Sequence, residues 1–147
     1  MKTTSQKGIY LIKKFEGLKL KAYVCSAGVD TIGYGTTILP NGVKVPKGST
    51  CTKEEAEMFL KHDLKRFEKH VNKVVTVPIT QNQFDALVCF AYNLGSIYPN
   101  LLKMININPN DENIENQWLK YCYAGKVFLQ GLHNRRIEEY KLYNSEI

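Results

Sequence analysis

The apolar residues of this chain change period twice, and that change restricts the fold more than any other feature. Ile9, Ile12 and Phe15 recur at helical spacing with Leu11 beside them, so residues 5–16 are expected to form a short helix. Gly17 is placed to stop it, which leaves Glu16 as its last residue. Leu18, Leu20, Ala22 and Val24 then alternate with Lys19, Lys21, Tyr23 and Cys25. A period of two predicts a half-buried strand, and its parity sets Cys25 on the face opposite the apolar set. "SAG" reads as a turn, "TIGYGTT" as a second short strand, and "PNG" as a hairpin turn.

After residue 50 the helical period returns. Thr52 with Glu55 fits a capping box, and Ala56, Phe59, Leu60, Leu64, Phe67 and Val71 mark one apolar stripe. Thr80 with Gln83 opens a second capped helix, with Phe84, Leu87, Val88 and Ala91 inward and Gly95 as its stop. Shorter helices are expected over 97–106 and 111–122, the latter anchored by Trp118. "GLHNRR" leads into a last helix that ends near residue 144. The order describes an α+β chain forming a single domain of residues 1–147. A small β lobe spans about 18–48. A mainly helical lobe spans about 50–147 and takes in the N-terminal helix, and a cleft between the lobes is the expected ligand site.

Hydrophobic residues make up 44% of the 147, which excludes disorder and allows a substantial core. The 20 Lys and Arg against 14 Asp and Glu leave a charge of +6. That surplus favours a polyanionic partner, such as nucleic acid, anionic lipid or an envelope polymer, without choosing among them. No basic helix, zinc motif or RNP-like aromatic pattern supports nucleic acid. The apolar run Ile9–Ile12 is broken by Lys13 and Lys14, too short for a signal peptide or membrane span. The chain is therefore expected to be made and folded in the cytoplasm. Its cysteines, at 25, 51, 89 and 122, form no C-x2-C pair, and His62, His70 and His133 are scattered, so no metal or other cofactor is expected. Cys89 and Cys122 lie in apolar surroundings and read as core residues.

Eight residues separate Glu16 from Cys25, and five separate Cys25 from Thr31. A helix end facing a strand and a returning turn is a way to hold an acid opposite a second group across a sugar. Glycoside hydrolysis needs a protonated acid on the leaving oxygen and a base or nucleophile on the other face of the ring. A Glu at a helix C-terminus meets the negative end of the dipole, which marks either a functional residue or merely an exposed one.

The sequence resembles the phage-type lysozymes, or endolysins, of glycoside hydrolase family 24. The shared pattern E-x8-(D or C)-x5-T followed by "TIGYG" reads here as Glu16, Cys25 and Thr31, with "TIGYG" at 31–35. "QNQFDALVCFAYNLG" at 81–95 and "GLHNRRIEEYKLY" at 131–143 are further matches, and the pattern extends over nearly all of residues 5–143. The resemblance implies a lysozyme-like fold and a muramidase that cuts the β-1,4 bond between N-acetylmuramic acid and N-acetylglucosamine in peptidoglycan. Glu16 would be the general acid, with its pKa raised to donate near neutral pH. Thr31 would help place the attacking water. Arg135, or else Arg136, would meet the acid as a charge partner. Tyr34 and Gly35 would line the cleft floor, and Asn93 would face the glycan. Thr36 stands where many relatives have His.

Most members carry Asp where this chain has Cys25; a subset carries Cys. Either Cys25 assists a water with Thr31, giving inversion, or its thiolate attacks the anomeric carbon, giving retention. Family analogy favours inversion. Asp30 is a third candidate for the second group, although strand parity points it away from Thr31. A disulfide between Cys25 and Cys51 would remove the second group. A noncatalytic peptidoglycan-binding module and an enzyme on chitin are the competing readings. The expected molecule is a monomer that waits in a host cytoplasm and acts in the periplasm after release by a separate holin.

Overall fold

The computed structural model describes residues 1–145. The chain divides into two compact units, one of Ile12–Arg66 and one of Met1–Leu11 together with the chain from Phe67 onward. Helices α1 (Gln6–Glu16) and α2 (Lys53–Val74) each contribute to both. The small unit therefore takes in the end of α1 and the first half of α2, beyond the β segment drawn from sequence alone.

In the small unit α1 ends where the sequence places it. Gly17 has φ +71°, and its amide bonds the Lys13 carbonyl at 3.0 Å, the left-handed stop that a residue without Cβ accepts readily. Strands β1 (Lys19–Val24) and β2 (Asp30–Gly33) pair antiparallel, with Tyr23 opposite Thr31 and Val24 opposite Asp30. The other edge of β1 bonds the 49–51 segment through the Ala22 amide to Ser49 and the Cys51 amide to Leu20. The Pro-Asn-Gly turn closes a hairpin in which Ile38 bridges Lys44.

The alternation of β1 does not report burial. Leu20 is 46% and Val24 54% exposed, and only Ala22 is partly covered. A ribbon this small has nothing to pack on its second face, so period two survives as pleat without becoming a buried face. The core of this unit instead comes from Ile12, Ile32, Tyr34 and Val45 with Ala56, Leu60 and Leu64 of α2.

The larger unit is built around α3 (Gln81–Leu94), whose ten consecutive residues Asn82–Ala91 are all buried. Its Thr80–Gln83 capping box and its Gly95 left-handed stop are both present. The sequence period had suggested one inward face. Enclosure all round requires partners for the polar residues as well, and each has one. Asn82 donates to the Ser145 hydroxyl at 3.1 Å, Gln83 to Asn110 at 2.9 Å, and Asp85 accepts from Gln81 at 2.8 Å. Asp85 also accepts from the Ser5 amide and hydroxyl at the start of α1. Gly8 permits that approach, since a Cβ there would lie 2.8 Å from Asp85 Cβ.

Helices α4 (Pro99–Ile107), α5 (Ile114–Trp118) and α6 (Gln130–Tyr143) complete the unit. Phe90 of α3 meets Trp118, Tyr98 and Tyr121 edge-on at 5.4, 5.8 and 5.4 Å between centroids. Trp118 in turn meets Tyr140 and Tyr143 of α6. One element had no counterpart in the sequence reading, a hairpin of β3 (Tyr123–Ala124) and β4 (Val127–Phe128). At two residues per strand it is too short for any period to register.

Candidate active site

Glu16, Cys25 and Thr31 lie in one unit, brought there by the α1 stop and the β1–β2 turn. Glu16 is half-buried at the last position of α1 and Cys25 is half-buried just past β1, while Thr31 is 3% exposed in β2. Residues 25–29 form a tight turn in which the Cys25 amide bonds the Val29 carbonyl at 3.0 Å and the Gly28 amide bonds the Cys25 carbonyl at 2.8 Å. The amide of Val29 first, then the Thr31 hydroxyl and the Ala27 amide, hold the Cys25 thiol below its usual range, because donors stabilise a thiolate. The Thr31 hydroxyl also donates to the Val29 carbonyl at 2.9 Å.

Tyr23 belongs to the same cluster and was not singled out from sequence. Burial first, then the charges of Cys25 and Glu16, push its phenol up. Its signal was in the parity, since Tyr23 and Cys25 occupy the same face in the strand alternation.

Asp30 lines a pocket of about 350 Å³ with Gly28, Val29, Thr37, Ile38, Lys44 and Val45, a lining that includes neither Cys25 nor Thr31. Tyr34 is buried, with the Lys13 ammonium 5.4 Å from its ring centroid, and Gly35 is half-buried. Thr36 is fully buried and donates to Asp63 of α2 at 2.7 Å. Burial raises the Asp63 carboxyl, against the opposing effects of Thr36, Arg66 and His62.

The Cys25–Cys51 disulfide is ruled out. Both are free thiols. Cys51 bonds Leu20, and the five residues from Leu20 to Cys25, at about 3.3 Å each, separate the two far beyond the ~7 Å a bridge tolerates.

In the larger unit Asn93 and Arg135 sit in one polar cluster. Arg135 Nε donates to Glu139 Oε2 at 3.2 Å and its Nη2 to the Cys89 carbonyl at 3.1 Å. Arg136 Nη2 donates to Asn93 Oδ1 at 2.6 Å, and its Nε lies 2.8 Å from Glu139 Oε1. Trp118 Nε1 donates to the same carboxylate at 3.2 Å. Glu139 was missed in the sequence, although three or four residues beyond a charged partner is the helical spacing for an ion pair. Among the described residues no group of three or more His, Cys, Asp and Glu is placed to hold a metal, and no helix is long and apolar enough to cross a membrane.

Residues 13–139 match the phage lysozyme family. The chain belongs to that family. It is 38% identical to the endolysin of Acyrthosiphon pisum secondary endosymbiont phage 1, over 96% of this chain and 97% of that protein. It is 44% identical to the endolysin of Bacillus phage PZA, over 96% of this chain but 55% of that protein. The structure of an endolysin from Escherichia coli O157:H7 phage FAHEc1 is similar at a TM-score of 0.89 and 39% identity, covering 99% of this chain and 96% of that one. As a phage lysozyme family member the chain is an enzyme, a glycoside hydrolase with a lytic muramidase function, and the noncatalytic reading falls. Its mainly helical body with a small hairpin sheet is the architecture of its structural neighbours.

Proposed function

We propose that this enzyme is an endolysin of the glycoside hydrolase family 24 kind, in the subset with Cys for Asp. It hydrolyses the β-1,4 bond between N-acetylmuramic acid and N-acetylglucosamine in peptidoglycan and so lyses a host cell. Glu16 protonates the leaving oxygen. Cys25, as thiolate, orients and deprotonates a water with Thr31, and the anomeric centre inverts. Tyr34, Gly35, Asn93 and Arg135 are the supporting residues of this reading. The enzyme works as a monomer on the cell wall after a holin has released it from the host cytoplasm.

One observation carries this reading. Glu16, Cys25 and Thr31 lie in one unit, where donors of the turn after Cys25 hold its thiol below the usual range, and burial first, then the charges of Cys25 and Glu16, raise the Tyr23 phenol. An inert structural thiol has no use for such donors. The Thr31 hydroxyl can give its proton to the thiolate and keep lone pairs for the water. Glu16→Gln removes the proton donor and is expected to abolish clearing of purified peptidoglycan, while proton NMR of the first product shows the inverted anomer. A Glu16→Gln enzyme that still clears the polymer ends the proposal.

A further inference from the structure

Every residue from Tyr123 to Gln130 is exposed, although the β3–β4 hairpin follows the buried Cys122 at once. The Leu129 amide closes its base on the Cys122 carbonyl at 3.0 Å, and Gly125, at φ +62°, makes its turn. Tyr123, Val127, Phe128 and Leu129 are 55, 61, 45 and 39% exposed. Tyr123 lies opposite Phe128, and Ala124 opposite Val127. Opposed residues share a face and successive ones alternate, so apolar side chains emerge from both faces of the ribbon. Apolar surface gathered in this way marks an interaction site.

A sugar or a base would stack on a flat ring face. The Tyr123 and Phe128 rings instead meet edge to face, at 73° with 5.7 Å between centroids, and Phe128 also meets His133 at 5.4 Å. They offer no common platform for stacking. A protein groove covers one face of a ribbon, whereas a lipid interface surrounds both. Charge points the same way. Between Glu115 and Glu138 the sequence has no acidic residue. Its arginines there, Arg135 and Arg136, are buried against Glu139. Its lysines, Lys120 before the hairpin and Lys126 in the turn, are exposed. We propose that this hairpin seats the protein on an anionic lipid surface, with Tyr123, Val127, Phe128 and Leu129 in the headgroup boundary and Lys120 and Lys126 against the lipid phosphates. Long lysine side chains reach phosphates from beside an embedded apolar group.

Co-sedimentation of the whole enzyme tests this, with vesicles of phosphatidylcholine alone and of phosphatidylcholine mixed with phosphatidylglycerol. Partition is expected to be at least about tenfold stronger onto the anionic vesicles and to weaken as salt rises. Val127→Ser combined with Phe128→Ser should lower it at least about fivefold. Lys120→Glu combined with Lys126→Glu should lower it at least as much. Lys61→Glu combined with Lys65→Glu makes the same charge change at exposed positions of the other unit, and should lower it by less than about twofold. Initial rates of the hairpin variants on soluble glycan strands should stay within about twofold of wild type. If circular dichroism finds the serine pair unfolded, Val127→Ser alone, at the most exposed of the four positions, decides by the same loss. Equal or absent partition onto the two kinds of vesicle overturns the proposal. So does an equal loss in the Lys61 and Lys65 variant, which would reduce the effect to net charge. A serine pair that keeps wild-type partition but raises KM on the strands gives the hairpin to the glycan instead. A wild-type dimer on sizing that the serine pair dissolves gives it to a second copy of the chain.

Discussion

In the proposed mechanism the Cys25 thiol must ionise to act on water, and at its ordinary pKa of about 8.5 only a few per cent of it would do so at neutral pH. The Val29 amide, the Thr31 hydroxyl and the Ala27 amide shift that balance toward thiolate at Cys25. Cys51 goes the other way, raised by burial and by Glu55. At pH 7 iodoacetamide should therefore alkylate Cys25 at least about tenfold faster than Cys51, with loss of activity following the Cys25 label alone. Thr31→Val deletes one donor, and should move the pH at which Cys25 is half-reactive upward. Peptide mapping across a pH series reads both. Equal labelling of the two thiols would contradict the picture. Cys25→Asp should keep lysis and Cys25→Ser lose most of it. The spacing of Glu16, Cys25 and Thr31 was plain in the sequence, because a helix stop and a strand fix it locally. The Val29 and Ala27 donors were not, since they are backbone amides, which every residue type carries.

At the scale of elements, the helix stop before the thiol strand can be weighed against the glycine that ends β2. Gly17 and Gly33 both hold positive φ, +71° and +68°. A Cβ on Gly17 would meet nothing within 4 Å, whereas one on Gly33 would lie 3.2 Å from the Ala56 Cβ. Gly17→Ala thus carries backbone strain alone, about 1 kcal/mol. Gly33→Ala adds crowding against α2 and should cost about 2 kcal/mol or more. Urea melts of the two variants should rank them in that order. The same packing ties Thr36 to Asp63, whose raised carboxyl makes a pH prediction. As pH rises past the unfolded value of about 3.9, the unfolded chain loses this proton before the folded one does. Stability contributed by Asp63 therefore falls with rising pH, and the cost is complete above the folded pKa. Asp63→Asn keeps an acceptor for Thr36 and removes the buried charge. It should stabilise the protein by on the order of 1 kcal/mol at pH 7 and by almost nothing near pH 3. A gain that is equal at both pH values would show that the charge is not the cause. The ion pair to the exposed Arg66, at 3.8 Å, is too loose to reverse the sign.

For the whole molecule, the legible parts of the sequence were those in which local signals decide. The Thr52 and Thr80 capping boxes, the Gly17 and Gly95 stops and the Pro-Asn-Gly turn all stand where short-range chemistry puts them. What escaped was set by enclosure at long range. β1 alternates without a covered face, and α3 is buried all round in spite of Asn82, Gln83 and Asp85. The largest such case is Glu139, a wholly buried carboxylate that braces Arg135 and Arg136 of its own helix and Trp118 of α5. Through Arg135 to the Cys89 carbonyl and Arg136 to Asn93, it also ties α6 to α3. A buried ion pair adds little over a well-packed apolar set, but removing one partner strands the other. Glu139→Gln keeps the shape, leaves two buried cations without their carboxylate and should cost about 3–5 kcal/mol. In a chain of 147 residues that lowers Tm by roughly 10 °C or more. Urea denaturation should show the midpoint falling while the m-value holds, because the surface exposed on unfolding is unchanged. A loss below about 1 kcal/mol would mean that water or another anion had taken the carboxylate's place, and that Glu139 does not brace this unit.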